Sequence, residues 1–236
     1  EAYLRSSYSE PLSLEDLVNR KKMRGTNIKY LFKNKKILVT GAGGTIGSEL
    51  VRQIYASDCN KLIMLDNSEY NLYSINKEIS NLNDAHNKDT IISSLLVNIK
   101  DKKKLERIFK IHKPDYVFHA AAYKHVSILE ENIFEAVENN FYGTKNLVDI
   151  ATERNIERFC FVSTDKAVNP KTIMGCSKRL AELYIQSVYN DLSEKKLTCP
   201  KFSIVRFGNV FNSSGSVIPL FNQQISMGGP VTVTSK

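Results

Sequence analysis

Short runs of apolar residues alternate along the chain with segments whose apolar residues recur every three or four positions. Each run is nearly continuously apolar, as expected of a strand that is covered on both faces. Between the runs, stripes such as Leu72, Ile75 and Ile79 have the helical period. This alternation predicts an α/β fold with a doubly wound parallel sheet of Rossmann type. The six predicted strands are Lys36–Thr40, Lys61–Leu65, Ile91–Val97, Asp115–His119, Arg158–Ser163 and Phe202–Arg206.

The two ends of the chain differ from this alternating body. The segment PLSLEDLVNRKK predicts a short amphipathic helix followed by a basic linker, so residues 1–34 are assigned to an N-terminal helix and linker. Residues 35–236 are assigned to the α/β domain. The chain begins without Met and stops at PVTVTSK, part-way into a further predicted strand. We therefore expect a piece of a longer protein, with most of any C-terminal substrate lobe absent.

Composition narrows the class of protein. The chain has 236 residues, of which 42% are hydrophobic and 25% charged, as is usual for a soluble globular domain. No apolar run is long enough to span a bilayer. The four cysteines are scattered without a C-x-x-C pair, which favours a reducing cytosol and predicts neither a metal site nor a disulfide. The net charge of +8 suits an anionic partner such as a nucleotide, but the dispersed lysines do not predict a nucleic-acid groove.

A glycine-rich loop follows the first predicted strand directly. The spacing Gly41-x-x-Gly44-x-x-Gly47 allows a tight turn, a close approach to a pyrophosphate and close packing of the next helix on the strand. The start of that helix offers N–H groups and the positive end of its dipole to phosphate. The loop therefore predicts a dinucleotide site. The residues predicted to bind the cofactor here are Gly41, Gly43, Gly44, Thr45, Ile46 and Gly47.

Three further strand ends are predicted to line the same cleft. Asp66 follows the second strand, where a carboxylate accepts hydrogen bonds from a ribose 2′-hydroxyl and repels a 2′-phosphate, so NAD is favoured over NADP. The alternative is that Asp66 caps the next helix, since Ser68 and Glu69 follow. After the third strand, Asn98 and Ile99 are expected near the adenine. After the fourth, the small side chains of Ala120, Ala121 and Ala122 are expected to let the cofactor lie against the backbone.

The segment STDKAVNPKTIMGCSK, which follows the fifth strand, carries the most distinctive chemistry. In nucleotide-binding α/β enzymes the position of Met174 usually holds tyrosine, in a Tyr-x-x-x-Lys pair that here ends at Lys178. A thioether neither donates a proton nor becomes an oxyanion, so acid–base work must fall to other residues, with Asp165 and Lys166 nearest. Successive strand side chains point to opposite faces. Both residues can reach one substrate only if the strand has ended by Thr164.

These motifs together resemble a known family. T-G-x-x-G-x-x-G, the run HAAAYKHV from His119 to Val126, Asn140 and the STDK…M-x-x-x-K segment are similar to the extended short-chain dehydrogenases/reductases. Within that group the chain resembles the membrane-anchored UDP-N-acetylglucosamine 4,6-dehydratases of bacterial surface polysaccharide biosynthesis. The resemblance implies bound NAD and a UDP-sugar substrate. It gives Leu12–Arg20 a linker role.

The resemblance also implies residue roles. NAD would take a hydride from C4 of the sugar and return it to C6 after water has been lost. Lys166 would remove the C5 proton and Asp165 would protonate the departing C6 hydroxyl. Thr164 would hydrogen-bond the C4 oxygen, and Lys178 would hold the nicotinamide ribose. Met174 leaves the C4 base open: Asp165, Thr164 through water, or a residue elsewhere.

Residues near the sugar and the UDP follow from the same resemblance. Asn209 would face the diphosphate, and the segment from Ser216 to Phe221 would face the uracil. Lys124 and His125 would approach the sugar, although either fits a solvated loop equally well. The predicted substrate residues are Lys124, His125, Asn209, Ser216, Val217 and Phe221.

Three functions remain open at this point. The first is the dehydratase. The second is a UDP-sugar 4-epimerase, which shares the C4 oxidation but has no use for an Asp-Lys pair. The third is a non-catalytic NAD-binding module. We expect a cytoplasmic homo-oligomer or the cytoplasmic domain of an inner-membrane protein, with membrane contact only through an N-terminal membrane domain outside this chain.

Overall fold

The computed structural model describes residues 31–210 and 217–232. Residues Ile28–Val210 form one compact unit, and residues 217–232 belong to a second unit. No helix in these two ranges is both long and apolar enough to cross a membrane. The N-terminal helix predicted within residues 1–34 lies almost wholly outside the described residues.

Six parallel strands form a single sheet in the order β3-β2-β1-β4-β5-β6. This confirms the doubly wound Rossmann-type fold, with its topological switch point between β1 and β4, where such folds bind ligands at the carboxyl ends of the strands. The strand bounds differ from the predicted ones by a single residue at most at either end. They are β1 Lys36–Thr40, β2 Lys61–Asp66, β3 Ile91–Leu96, β4 Tyr116–His119, β5 Arg158–Thr164 and β6 Lys201–Phe207.

Helices cover both faces of the sheet. In the connection between β4 and β5, a π-helical turn, Val137–Tyr142, joins two α-helices into one continuous helix. The helices are α1 Thr45–Ala56, α2 Glu69–Ala85, α3 Lys102–His112, α4 Val126–Glu131, α5 Ile133–Ala136, α6 Gly143–Glu153 and α7 Ile173–Glu194, with α8 Val217–Ser226 in the second unit.

The core consists of two main layers separated by the sheet. Ile37 and Val39 of β1 pack with α1 and α2 on one face, whereas Leu38 packs with α3, α6 and α7 on the other. The alternation follows from the two-residue period of a strand. The expectation that every strand is covered on both faces is wrong for the outer strands, since Ile91 of β3 and Val205 of β6 are 54% and 41% exposed. Each of these strands has a described neighbour on one side alone.

Candidate active site

The glycine loop between β1 and α1 is shaped by contacts that exclude side chains. Gly41 has a φ of +65°, and a Cβ there would lie 2.7 Å from the backbone of Ala121. A Cβ on Gly47 would lie 1.9 Å from the carbonyl oxygen of Gly41. Gly44 closes the turn by donating its N–H to that carbonyl at 3.0 Å. The loop therefore presents backbone to the cleft, as close contact with a pyrophosphate requires.

The first turn of α1 differs from that of the neighbouring helices. Its N-cap residue is Gly44, which has no capping side chain, and its first turn contains no acidic residue. By contrast, α2, α3 and α7 are capped by Ser68, Asp101 and Thr172. An N-terminus without its own anionic or hydroxyl cap suits a phosphate ligand.

Asp66 ties the end of β2 to the glycine loop. Its carboxylate is buried and accepts the N–H of Gly43 and the N–H of Ser68, each at 2.9 Å. The helix cap of α2 is Ser68 itself, not Asp66. An ionised carboxylate has about four acceptor sites, so Asp66 retains the capacity to accept a ribose hydroxyl.

A cleft of about 190 Å³ opens along the ends of β1, β2 and β4. Its small-residue wall fits a cofactor lying against backbone, as the sequence predicts. Asn98 instead turns its amide oxygen to the N–H of Lys100 at 2.9 Å and does not line the cleft. The predicted residues that line it are Gly41, Gly44, Asp66, Ile99, Ala120, Ala121 and Ala122, whereas Gly43, Thr45, Ile46, Gly47 and Lys178 do not. Asn71, Tyr123 and Asn139 also line it and were not predicted as cofactor residues, although Tyr123 belongs to the run HAAAYKHV.

A buried histidine stabilises the strand ends beneath this wall. Thr144 donates its hydroxyl to the carbonyl of Asn140 at 2.7 Å, so it accepts the Nε2–H of His119 at 2.8 Å. The Nδ1 atom of His119 then accepts the hydroxyl of Thr40 at 2.7 Å. Burial, together with the charge of Lys178, holds the pKa of His119 well below its usual range. The neutral ring thus cross-links β1, β4 and α6.

Asn140 joins the cleft wall to α7. From the π-helical turn, its side chain accepts the N–H of Tyr123 at 2.8 Å and donates to the carbonyl of Tyr123 at 3.0 Å. Its amide also donates to Ser177 at 3.1 Å. A π-helical turn widens the helix locally and is frequent at functional sites. Here it aims one amide at two neighbouring segments at once.

The Thr-Asp-Lys triplet lies where β5 stops. The strand ends at Thr164, and Asp165–Ala167 form a 3₁₀-helical turn, which meets the condition for Asp165 and Lys166 to reach one substrate. Thr164 donates its hydroxyl to Asp165 at 3.0 Å. The ammonium of Lys166 contacts Asp165 at 3.2 Å and the amide oxygen of Asn209 at 3.0 Å. The turn therefore gathers an acid, an amine and an amide from the ends of β5 and β6.

The charges of this cluster are set by its own hydrogen bonds. The hydrogen bond from Thr164, followed by the contact with Lys166, lowers the pKa of Asp165. The side chains of Asp165 and Lys166 are 55% and 39% exposed. Asp165 is therefore an ionised, accessible carboxylate, which is the form that accepts a proton.

Lys178 and Met174 have different roles in the first turns of α7. Lys178 is buried, donates to the carbonyl of Val162 at 2.8 Å, and has its pKa lowered by burial to about 7. Met174 is 5% exposed and packs in an apolar cluster with Leu129 and Ala136. The thioether thus fills space where other nucleotide-binding α/β enzymes usually carry tyrosine, and its described contacts are apolar.

The predicted substrate residues are distributed over both units. Asn209 contacts Lys166, and its place beside the diphosphate stays a prediction. Lys124 is exposed, with a pKa lowered by partial burial, and His125 is the exposed N-cap residue of α4. Val217 and Phe221 lie in α8 of the second unit, and Ser216 lies outside the described residues.

Comparison with known proteins places the chain in a family. Residues 37–236 match the family described as polysaccharide biosynthesis protein. The chain is 46% identical over 85% of its length to the capsular polysaccharide biosynthesis protein CapD of Staphylococcus aureus, of which it covers 32%.

Two further relatives carry enzyme names. The chain is 31% identical over 86% of its length to an inverting UDP-N-acetylglucosamine 4,6-dehydratase of Campylobacter jejuni, covering 58% of that protein. It is also 31% identical over 86% of its length to a UDP-glucose 4-epimerase of Rickettsia canadensis, covering 57% of it. The chain therefore spans less than two thirds of each of these relatives.

Solved structures agree with the sequence relatives. Pen from Bacillus thuringiensis superposes with a TM-score of 0.74 at 33% identity, over 83% of this chain and 57% of that one. The UDP-glucose 4-epimerase of Thermus thermophilus, solved in complex with NAD, gives 0.66 at 26% identity, over 83% of this chain and 64% of that one. The sheet order, the glycine loop and these matches have one explanation: the chain belongs to the polysaccharide biosynthesis protein family, within the extended short-chain dehydrogenases/reductases.

Proposed function

We propose that this chain is the NAD-binding catalytic part of a UDP-N-acetylglucosamine 4,6-dehydratase that works in surface polysaccharide biosynthesis. The product is a UDP-4-keto-6-deoxy-N-acetylhexosamine. The observation that carries the proposal is the contact of Lys166 with both Asp165 and Asn209 just beyond the ends of β5 and β6. A carboxylate and an amine within one hydrogen bond of each other suit removal of a C5 proton and loss of a C6 hydroxyl.

NAD as the cofactor is confirmed by relatives of the same fold that carry it, such as the Thermus epimerase. In this chain Gly41 and Gly44 would receive the pyrophosphate, and Asp66 would accept the ribose hydroxyl. The wall of Ala120–Ala122 would lie against the cofactor. Bound NAD supplies the redox chemistry, accepting a hydride from C4 of the sugar and returning it to C6.

The ionised state of Asp165 supports one sequence of proton transfers for the proposed reaction. Oxidation at C4 releases the hydroxyl proton, which the Asp165 carboxylate accepts in place of the missing tyrosine. The protonated carboxyl is then the acid that the C6 hydroxyl needs in order to leave as water. Lys166, once its own proton has passed to solvent, would be the base that accepts the C5 proton. One carboxylate thus serves first as base and then as acid.

A 4-epimerase is the competing function, because a relative with that name is as similar as the dehydratase. Epimerization needs the C4 proton acceptor but no group that acts at C5 or C6. In that reaction Asp165 would act at C4 alone and its contact with Lys166 would have no task, which is why the dehydratase is preferred.

Incubation of the full-length protein with UDP-N-acetylglucosamine in D₂O separates the functions. We expect a 4-keto-6-deoxy sugar with deuterium at C5, detected by NMR and mass spectrometry, because Lys166 exchanges its proton with solvent. A C4 epimer without deuterium would replace the dehydratase by the epimerase. NAD binding without any turnover would leave a non-catalytic module.

Location and assembly stay predictions. The cytoplasm is the compartment that holds UDP-sugars for the proposed reaction, and the chain is expected there either free or as part of an inner-membrane protein. Size-exclusion chromatography with light scattering on the full-length protein tests the predicted homo-oligomer.

A further inference from the structure

A completely buried carboxylate lies behind the Thr-Asp-Lys turn. The side chain of Glu182 in α7 has no solvent exposure and accepts hydrogen bonds on both oxygens. Oε1 accepts the hydroxyl of Ser163 at 2.6 Å and Nε of Arg206 at 2.9 Å. Oε2 accepts Nη2 of Arg206 at 2.6 Å and Nη1 of Arg179 at 2.9 Å. One carboxylate therefore joins β5, β6 and α7.

The partners of Glu182 stand directly beside the acid–base cluster. Ser163 precedes Thr164 in the chain, and Arg206 lies three residues before Asn209. Ser163 and Arg206 are register partners in the β5–β6 pair, so their side chains leave the same face of the sheet. The distance between Lys166 and Asn209 depends on how these two strand ends are aligned.

A second side chain of α7, that of Lys178, binds β5. Lys178 stands one helical turn before Glu182, and its ammonium donates to the carbonyl of Val162. Lys178 and Glu182 lie on one face of α7, four residues apart. They bind two consecutive residues of β5, Val162 and Ser163, which directly precede the Thr-Asp-Lys triplet. On its own, burial would raise the pKa of Glu182, but the hydrogen bonds that it accepts, first from Arg206, lower it to about 2. The carboxylate is charged and bidentate, the geometry that fixes an Arg most firmly.

We propose that Glu182 is a positioning residue for the proposed dehydration: by clamping Ser163 and Arg206 it sets the distance between the Asp165–Lys166 turn and Asn209. It touches neither the substrate nor the cofactor. The inference rests on the proposed function for its catalytic consequence, whereas the clamp itself is a property of the fold. The glycine loop and Asp66 are not among the hydrogen-bond partners of Glu182, so the pyrophosphate and the adenine ribose should bind independently of it.

The test replaces Glu182 by Gln in the full-length protein, with E78Q as the matched control. Glu78 forms a similar bidentate pair with Arg52, at 2.7 and 3.0 Å, between α1 and α2 on the surface. We expect E182Q to lower kcat roughly 100-fold, the scale of a small misplacement of catalytic groups. NAD affinity and the KM for the UDP-sugar should stay near wild type, and deuterium incorporation at C5 should fall more than C4 oxidation. E78Q should change none of these.

Hydrogen exchange supplies a readout that does not depend on the reaction. Amides of residues 163–167 and 205–209 should exchange faster in E182Q than in wild type or E78Q. Unchanged protection there, or a folded E182Q with wild-type kcat, overturns the inference. Loss of NAD affinity in step with kcat also overturns it, because the defect is then general.

A second variant covers the case in which E182Q does not fold. R206K keeps the charge opposite Glu182 but loses the bidentate geometry, and Arg206 is partly exposed. The same selective loss of C5 exchange is expected, and wild-type C5 exchange in R206K contradicts the clamp. If the wild-type protein makes no ketosugar, the proposed function is refuted. The clamp is then still tested by hydrogen exchange, which does not depend on the reaction.

Discussion

The cleft beside the glycine loop (the cofactor end) and the turn that carries Asp165 and Lys166 (the acid–base end) are built by different physical means. Around Gly41 and Gly47 the surface is backbone, held so tightly that added Cβ atoms would lie 2.7 and 1.9 Å from other backbone atoms. Around Asp165 and Lys166 the surface is a group of charged side chains, partly exposed and aligned from behind by Glu182. The first region depends on the exclusion of side chains by packed backbone, whereas the second depends on contacts between charged side chains.

This difference predicts how each region responds to substitution. Packed backbone tolerates no added atom, so a small apolar substitution should abolish binding. A charged cluster keeps its shape when one charge is removed, so the fold and cofactor affinity should survive while chemistry is lost. Variants that remove one property and leave the other therefore test whether the two regions are independent.

The largest effect is expected for Gly47→Ala. Its Cβ meets the carbonyl of Gly41 at 1.9 Å, so the loop or α1 must shift, and the protein should lose about 3 kcal/mol of stability along with measurable NAD binding. Calorimetric titration with NAD and urea unfolding check this. Gly208→Ala is the control, because its Cβ would lie 3.8 Å from Asp165 and far from the loop. Wild-type NAD affinity in Gly47→Ala would show that the loop is not held by packing.

Next comes Asp165→Asn at the other end. Without the carboxylate neither the C4 proton nor the C6 departure is assisted, so kcat should fall roughly 100- to 10,000-fold. NAD affinity should be unchanged, as measured by titration beside steady-state assays. The matched control is Asp191→Asn, which breaks an exposed pair with Lys195 on α7. Activity that survives in Asp165→Asn would move the base and acid roles to other residues.

A smaller, pH-dependent effect is expected from Lys178, which borders both regions. Burial lowers its pKa from the ordinary 10.5 to about 7 in the folded protein. Between these values the unfolded chain holds the proton and the folded chain does not, so the free energy of unfolding should rise with pH across this window. In Lys178→Met this slope should flatten. Urea unfolding at a series of pH values measures the slope, and Lys110→Met, at an exposed position, is the control. If wild type and Lys178→Met had identical slopes, Lys178 would be in contact with water.

The smallest effect is expected for Met174→Leu. Met174 packs against Leu129 and Ala136, and a swap of similar volume should cost under about 1.5 kcal/mol. Because a thioether carries no proton, kcat should remain near wild type. Met64→Leu in the fully buried part of β2 is the control for packing alone. A large loss of kcat in Met174→Leu, absent from Met64→Leu, would give the sulfur a catalytic part.

The sequence predicted much of the cofactor end because its signals are local. Gly41, Gly44 and Gly47 lie within seven residues, and their spacing encodes the loop directly. The strand bounds also follow from continuous apolar runs, apart from the outer strands, whose exposure depends on neighbours in space. The position of Asn98 after β3 did not reveal that its side-chain oxygen accepts the N–H of Lys100, and its place near the adenine stays a prediction.

Only part of the acid–base end could be predicted from the sequence. Thr164, Asp165 and Lys166 are adjacent, so the triplet and the need for the strand to end there could be predicted. Glu182 could not, because a glutamate on an amphipathic helix carries no sign that it will be buried. Its main partner, Arg206, is 24 residues away in sequence, and Asn209 is 43 residues from Lys166.

The sequence by itself determined the sheet, the glycine loop, Asp66 at the cleft and the loss of tyrosine at Met174. These properties depend on residue type and short spacing, which act before distant segments meet. Tertiary structure alone decided that the pKa of Asp165 is lowered, that Lys178 is buried, and that Asn209 contacts Lys166. Charge states and alignments of this kind depend on which strands become neighbours, since burial and hydrogen-bond partners exist only after the chain has packed.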